Sequence, residues 1–277
     1  MFSEPFMQRA LLEVLLLAVV SGCVGTLVLV RRHAFVADAL THTMFPGVAI
    51  AFFAGQSLFV GALVAAVVST VLLTLLSSVR RVDDDSVLAL LVATFFAAGV
   101  VVVSRRASFT SDLTSLLFGH LLTVDRSTIV QTALVTVFVV AVLALIGKEL
   151  VFRSFDPEAF RALGYRVLLL DAMTNALVAL VIVAAARAIG TALVVALLVT
   201  PAATARLVSD RIPIIGLVSV GLTAACGVAG LALSWVASVD HNVRVEPGAA
   251  ITVILTLVFG VLATATLLSR HRRRIAA

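Results

Sequence analysis

The sequence predicts an all-α, polytopic helical membrane protein with about eight or nine transmembrane helices, built as one domain over residues 1–277. Three observations predict it. Of the residues, 62% are hydrophobic and 13% charged, whereas a soluble domain carries about a quarter charged residues. Mean hydropathy is +1.20. The apolar residues also come in long unbroken runs rather than amphipathic stripes, and roughly 20 such residues cross the hydrocarbon core.

The runs of that length are 10–30, 34–55, 58–79, 86–104, 127–147, 166–187, 189–208, 213–237 and 248–269. The first follows Ser3-Glu4-Pro5 without a small-residue cleavage pattern, so it is expected to stay rather than be removed as a signal peptide. Pro46-Gly47 interrupts the second, since proline lacks a backbone donor and clashes with the preceding turn. Asp83-Asp84-Asp85-Ser86 is expected to cap the fourth from solvent. The polar segment 105–126 reads as a short helix or re-entrant piece on the outer side. In the sixth run, Asp171 and Asn175 are spaced i, i+4, and interhelical hydrogen bonding is favoured over an accessory ion contact. The polar link Arg187 to Gly190 leaves room for a re-entrant piece before the seventh run. Thr200-Pro201 interrupts that run, either as a packing kink or as a broken helix lining a transport site. The connection 238–247 is polar, and Cys23 and Cys226 fall inside apolar spans as small packing residues.

Charge sets the orientation. With the N-terminus outside, the inner connections hold Arg31, Arg32, Arg80, Arg81, Lys148, Arg153, Arg161, Arg166, Arg206, Arg211 and the tail Arg270, Arg272, Arg273 and Arg274. Positive residues favour the cytoplasmic side, so the chain is expected to be a multi-pass protein of the cell membrane, N-out and C-in. The net charge of +5 therefore belongs beside anionic membrane lipid, not on nucleic acid. No Gly-rich P-loop with Lys-Ser or Lys-Thr occurs, so ATP-driven work would need hydrolysis by another chain.

Two segments carry chemistry. Asp38 and His42 stand one helical turn apart within the second apolar run, so a helix presents both on one face. Carboxylate and neutral imidazole suit Zn(II), Mn(II) or Fe(II), and the lack of thiolate argues against Cu(I). A mutually hydrogen-bonded pair pinning two helices is the alternative. Two ligands underfill any coordination sphere, so other helices, waters or a symmetry mate must add to them. Pro46 and Gly47 lie within two turns of the pair, where a broken helix suits a transport site. The second segment spans about 153–166 on the inner side. Asp156 can cap, Pro157 suits the first helical position, Glu158 favours the N-terminal dipole, and Gly164 would stop the helix. These residues specify a short separate cytoplasmic helix.

Three sequence stretches together resemble the permease subunits of ATP-binding-cassette (ABC) importers for zinc, manganese and related metals. They are Arg31-Arg32-x-Ala34-Phe35-x-x-Asp38-Ala39-x-x-His42-x-x-x-Pro46-Gly47, Phe155-Asp156-Pro157-Glu158-x-x-x-Ala162-Leu163-Gly164, and the run from Gly190 through Thr200-Pro201 to Arg206. The resemblance covers nearly the whole chain. It implies a transported divalent ion rather than a permanently bound cofactor. It also implies two cytoplasmic ATPase subunits, an extracytoplasmic metal-binding protein and a second permease copy, as a homodimer. By motif position, Asp38 and His42 look like the intramembrane metal-interacting residues. Phe155, Asp156, Pro157, Glu158, Arg161 and Gly164 look like the helix that couples to the ATPase. His120 departs from the pattern, where Asn or Ser is expected, and leaves open an extra metal contact at the outer mouth. His241, beside Asp240 and near Glu246, is a second such position. The rival is a secondary metal carrier, driven by an ion gradient and using the same Asp/His pair as a relay.

Overall fold

Hydrocarbon offers backbone amides no hydrogen-bonding partner, so apolar runs of this length must satisfy themselves as helices. The computed structural model describes residues 4–78, 83–104, 119–240 and 245–275. Among them are eleven α-helices: α1 Pro5–Arg31, α2 Ala34–Thr43, α3 Phe45–Phe53, α4 Leu58–Ser77, α5 Asp84–Ser104, α6 Arg126–Phe155, α7 Pro157–Ala162, α8 Val167–Ile189, α9 Thr191–Val208, α10 Ile212–Asp240 and α11 Pro247–Ile275. A 3-10 turn, Leu121–Thr123, precedes α6. Taking Ala34–Phe53 as one span, eight helices are long and apolar enough to cross a membrane, and a shorter apolar helix covers Leu193–Val208.

α1 runs through the middle, packed on α6, α9 and α10, while α8 lies between α4, α6, α9 and α2. Leu17, Val20, Val24, Val178, Ile182 and Leu198 are buried where these helices meet. The opposite faces stay apolar but exposed: Val60, Val64, Val67 and Val71 on α4, and Val130, Leu134 and Val137 on α6. Such faces belong against lipid, whose chains are as apolar as the side chains themselves. Free Cys226 is buried and Cys23 half-buried, in keeping with packing roles.

Two breaks in the sequence pattern have different outcomes. At Pro46 the second span does divide: α2 stops at Thr43, and α3 begins at Phe45 with proline in its first turn. Proline is tolerated there because first-turn amides lack intrahelical acceptors anyway. At Pro201 the expected interruption is absent, because α9 continues through it to Val208. Leu197, Leu198, Ala202 and Ala205 on both sides of Pro201 are buried. Tertiary packing on α1, α10 and α11 thus holds the helix through the missing amide bond.

Two further features fix the frame. α3 and α4 touch backbone to backbone at Gly47 and Gly61. A Cβ on Gly47 would sit 2.3 Å from the Gly61 carbonyl oxygen, and one on Gly61 would sit 2.4 Å from that of Gly47. α6 is also longer than its apolar run predicts, since its 30 residues measure about 45 Å against a core of about 30 Å. It therefore carries Lys148 to Phe155 beyond hydrocarbon depth. Its other end is capped by Asp125, whose Oδ1 accepts from the Thr128 amide at 3.0 Å. The hydroxyls of Ser127 and Thr128 also donate to that carboxylate and hold it well below the usual carboxylate range.

Candidate functional site

α2 exposes a narrow stripe. Phe35, Asp38 and His42 are exposed, while Val36, Ala37, Ala39, Leu40, Thr41 and Thr43 are buried. The cause is helical periodicity: the three outward residues share one face, and the small or branched residues pack inward on α5, α8 and α9. His42 Nε2 lies 4.0 Å from Asp38 Oδ1, with the two side chains 51% and 57% exposed. Both residues belong to α2, and at 4.0 Å they do not hydrogen-bond each other in this geometry. Among the described residues no group of three or more His, Cys, Asp or Glu could hold a metal ion. The pair therefore offers two potential donors, half-exposed on one face of α2.

Cavities flank α2 at its two ends. One of about 480 Å³ is walled by His42, Thr41, Met44, Phe45, Phe96, Arg187 and Thr191, at the end where α5 and α8 finish. The other, about 1120 Å³, lies at the end where α1, α4 and α6 finish. Its walls include Arg31, Arg32, His33, Asp84, Asp85, Arg153, Arg161 and Asp171. Burial and the neighbouring Arg31 guanidinium push the His33 imidazole below its usual value. Thus α2 reaches from a basic vestibule to a mostly apolar pocket, with Asp38 between them.

The segment expected to form a separate helix does so. Asp156 Oδ1 accepts from the Ala159 amide at 2.8 Å, Pro157 opens α7 and Glu158 stands in its first turn. Gly164 follows at φ +81°, a left-handed geometry that costs glycine nothing, and its amide donates to the Arg161 carbonyl at 3.0 Å. Phe155, Glu158, Arg161 and Leu163 are exposed.

Residues absent from the sequence reading complete this corner. Phe160 is fully buried, stacked on Tyr165 at 4.5 Å and edge-on to Phe152 at 5.6 Å. The aromatic residues Phe152 and Tyr165 on either side of Phe160 were the available signal. Glu13 was also passed over: its Oε1 accepts from the Thr132 hydroxyl at 2.6 Å, deep between α1 and α6. A carboxyl inside the first apolar run is that residue's own signal. Asp171 does bond between helices, as expected, to Arg31 and Arg153. Asn175 is buried on the next turn.

Only one of the two further candidate histidines falls within the described residues. His120 is exposed beside the 3-10 turn, its amide donating to the Arg187 carbonyl at 3.3 Å. Burial raises the nearby Glu246 carboxyl above its usual range, an effect that His120 partly offsets. His241 lies outside the described residues, as does most of 105–126.

Membrane-length helices, a metal-type pair facing out of the bundle and a capped helix off the basic end define a helical membrane permease. The chain belongs to the ABC 3 transport family, whose profile matches residues 3–266. It is 31% identical over 254 residues to the manganese transport system membrane protein MntC of Listeria monocytogenes, covering 92% of this chain and 88% of that protein. The chelated iron transport system membrane protein YfeD of Yersinia pestis is 29% identical over 200 residues, 72% of this chain and 67% of that protein. In structure, PsaBC from Streptococcus pneumoniae, solved in complex with Fab, aligns at TM-score 0.80 and 28% identity, over 94% of this chain and 91% of that one. Nothing in the family or these relatives supports a gradient-coupled carrier.

Proposed function

We propose that this chain is the membrane-spanning permease of an ATP-driven importer of divalent transition metal, with manganese as its cargo and zinc and iron as the competing ions. Family membership supports the importer class, and the relatives' names favour manganese. The observation that carries the mechanism is the outward stripe Phe35–Asp38–His42. A half-filled, half-exposed ligand pair facing hydrocarbon is expensive, so a polar partner must cover it. A second copy across a two-fold axis covers it with the same residues, because a two-fold interface is self-complementary. Two carboxylates and two imidazoles then face one another, a donor set that suits Mn(II) or Zn(II).

The ion moves as follows. An extracytoplasmic binding protein delivers it at the end where α5 and α8 finish. Asp38 and His42 of both copies hold it briefly, weakly enough to release it. It leaves through the basic vestibule, which faces the cytoplasm if the arginine-rich ends lie inside. ATP is hydrolysed by cytoplasmic partner subunits. Phe155 and Leu163, exposed and apolar on a polar end, offer them a contact, and α7 passes on their closure. Asp156, Pro157, Glu158, Arg161 and Gly164 give α7 its start, stop and charge, so that it moves as a rigid piece.

Reconstitution of the permease with the binding protein, with and without the ATPase, tests this function. ATP-dependent manganese uptake that vanishes without the ATPase is expected. Uptake that persists without it and follows a proton gradient would sink the proposal.

A further inference from the structure

The ends of three helices meet on one carboxylate. Arg31, the last residue of α1, donates from Nη1 to Asp171 Oδ1 on α8 at 2.9 Å. Arg153, in the last turn of α6, donates from Nη2 to Asp171 Oδ2 at 3.0 Å. Arg31 Nε also donates to the Ser154 hydroxyl at 3.2 Å, and that hydroxyl is bound to the Leu150 carbonyl at 2.7 Å. The Arg31 side chain is only 4% exposed and that of Asp171 29%, so the cluster is poorly screened and its geometry is held firmly.

Its place in the chain matters more than its strength. Arg153 stands just before Asp156, the residue that starts α7. Arg31 stands just before Ala34, which starts the helix bearing Asp38 and His42. Between α1 and α2 the chain turns through Arg32, left-handed at φ +59°, with its amide bonded back to Leu29. This two-residue corner leaves little slack. α8, which supplies the shared carboxylate, also packs directly on α2.

We propose that Arg31, Asp171 and Arg153 form the mechanical joint through which displacement of α7 reaches the Asp38/His42 helix, making these three positioning residues of the transport cycle. A push on α7 moves the end of α6. Without the joint that end slides past α1 and α8, which it would otherwise carry along. Arg153 transmits from α6 to Asp171, and Arg31 and α8 transmit from Asp171 to α2. The joint rests on the importer reading, so its test must separate the two.

The test measures manganese uptake and ATP hydrolysis together, in proteoliposomes holding the permease, its ATPase and the binding protein. The joint predicts that D171N and R153Q still assemble and hydrolyse ATP while the metal carried per ATP falls about tenfold, within the range typical of coupling between sites. R153K, which keeps a donor for Asp171, recovers much of that ratio. If D171N fails to assemble, R153Q decides, because its side chain is partly exposed. An unchanged ratio in R153Q overturns the joint, as does R153K performing no better than R153Q. A loss of uptake and hydrolysis in equal proportion also overturns it. Absence of ATP-dependent uptake in the unsubstituted transporter defeats the importer reading instead, and the joint with it.

Discussion

At the scale of the residue, placement decides what each polar group does. Asp38 and Asp171 are both aspartates at membrane-helix positions, yet one faces out half-exposed and the other sits between two guanidiniums. The first is available to an ion, and the second is fully engaged with protein. Phe160 shows how a single apolar residue supports function. Asp156 and Gly164 define where α7 starts and stops, and Phe160, buried against Phe152 and Tyr165, packs it on α6. F160A should cost about 3–5 kcal/mol through lost burial and the cavity left behind. Much of that cost should fall on α7 itself. Hydrogen exchange over 157–162 should become markedly faster in F160A while α1 and α8 keep their protection.

The same residues show how far the sequence could be read. Asp38 and His42 were visible because a carboxylate and an imidazole stand out in an apolar run, and because helical spacing is local. Asp156, Pro157 and Gly164 were visible because caps and stops are chosen by neighbouring backbone. The union of Arg31, Arg153 and Asp171 was not visible, since Arg31 lies 140 positions from Asp171 and the 18 positions between Arg153 and Asp171 span two helices. Glu13 was missed for a similar reason, as its partner Thr132 lies on another helix.

At the scale of the element, the outcome of each helix break depends on what surrounds it. Pro46 could divide its span because the break falls where α3 can start afresh against α4. Pro201 could not, because α9 is gripped on both sides of it. Sequence periodicity placed the eight long spans well but left Pro201 open between a kink and a break, since tertiary packing rather than local chemistry decides it. The α3–α4 contact is the stiffest element-level constraint. G47A places a Cβ where the Gly61 carbonyl and the Ala65 methyl already are, at 2.3 and 2.5 Å. Backbone cannot yield cheaply, so the overpacking should cost about 1–3 kcal/mol. A lowered melting temperature in detergent is expected, and G47A melting like the unsubstituted protein would contradict so close a contact.

At the scale of the whole molecule, the proposed cycle asks the chain for a half-site and a lever, neither of which would work alone. The half-site would need a second copy to complete its donor set. The lever, α7, would need an ATPase to move it and the Arg31–Asp171–Arg153 cluster to carry the motion inward. This division explains why a chain with no nucleotide-binding motif can belong to an ATP-driven family. On the proposed function, metal choice would not rest on any single residue: four ligands from two copies would accept several divalent ions, leaving much of the selectivity to delivery by the binding protein. The most direct measurement is ATP-dependent manganese uptake by the assembled transporter carrying D38A and H42A together, at matched ATP hydrolysis. Uptake should fall by at least the roughly ten- to hundredfold that losing even an outer-shell partner costs a metal site, whereas uptake at the unsubstituted rate would contradict a metal pathway through Asp38 and His42.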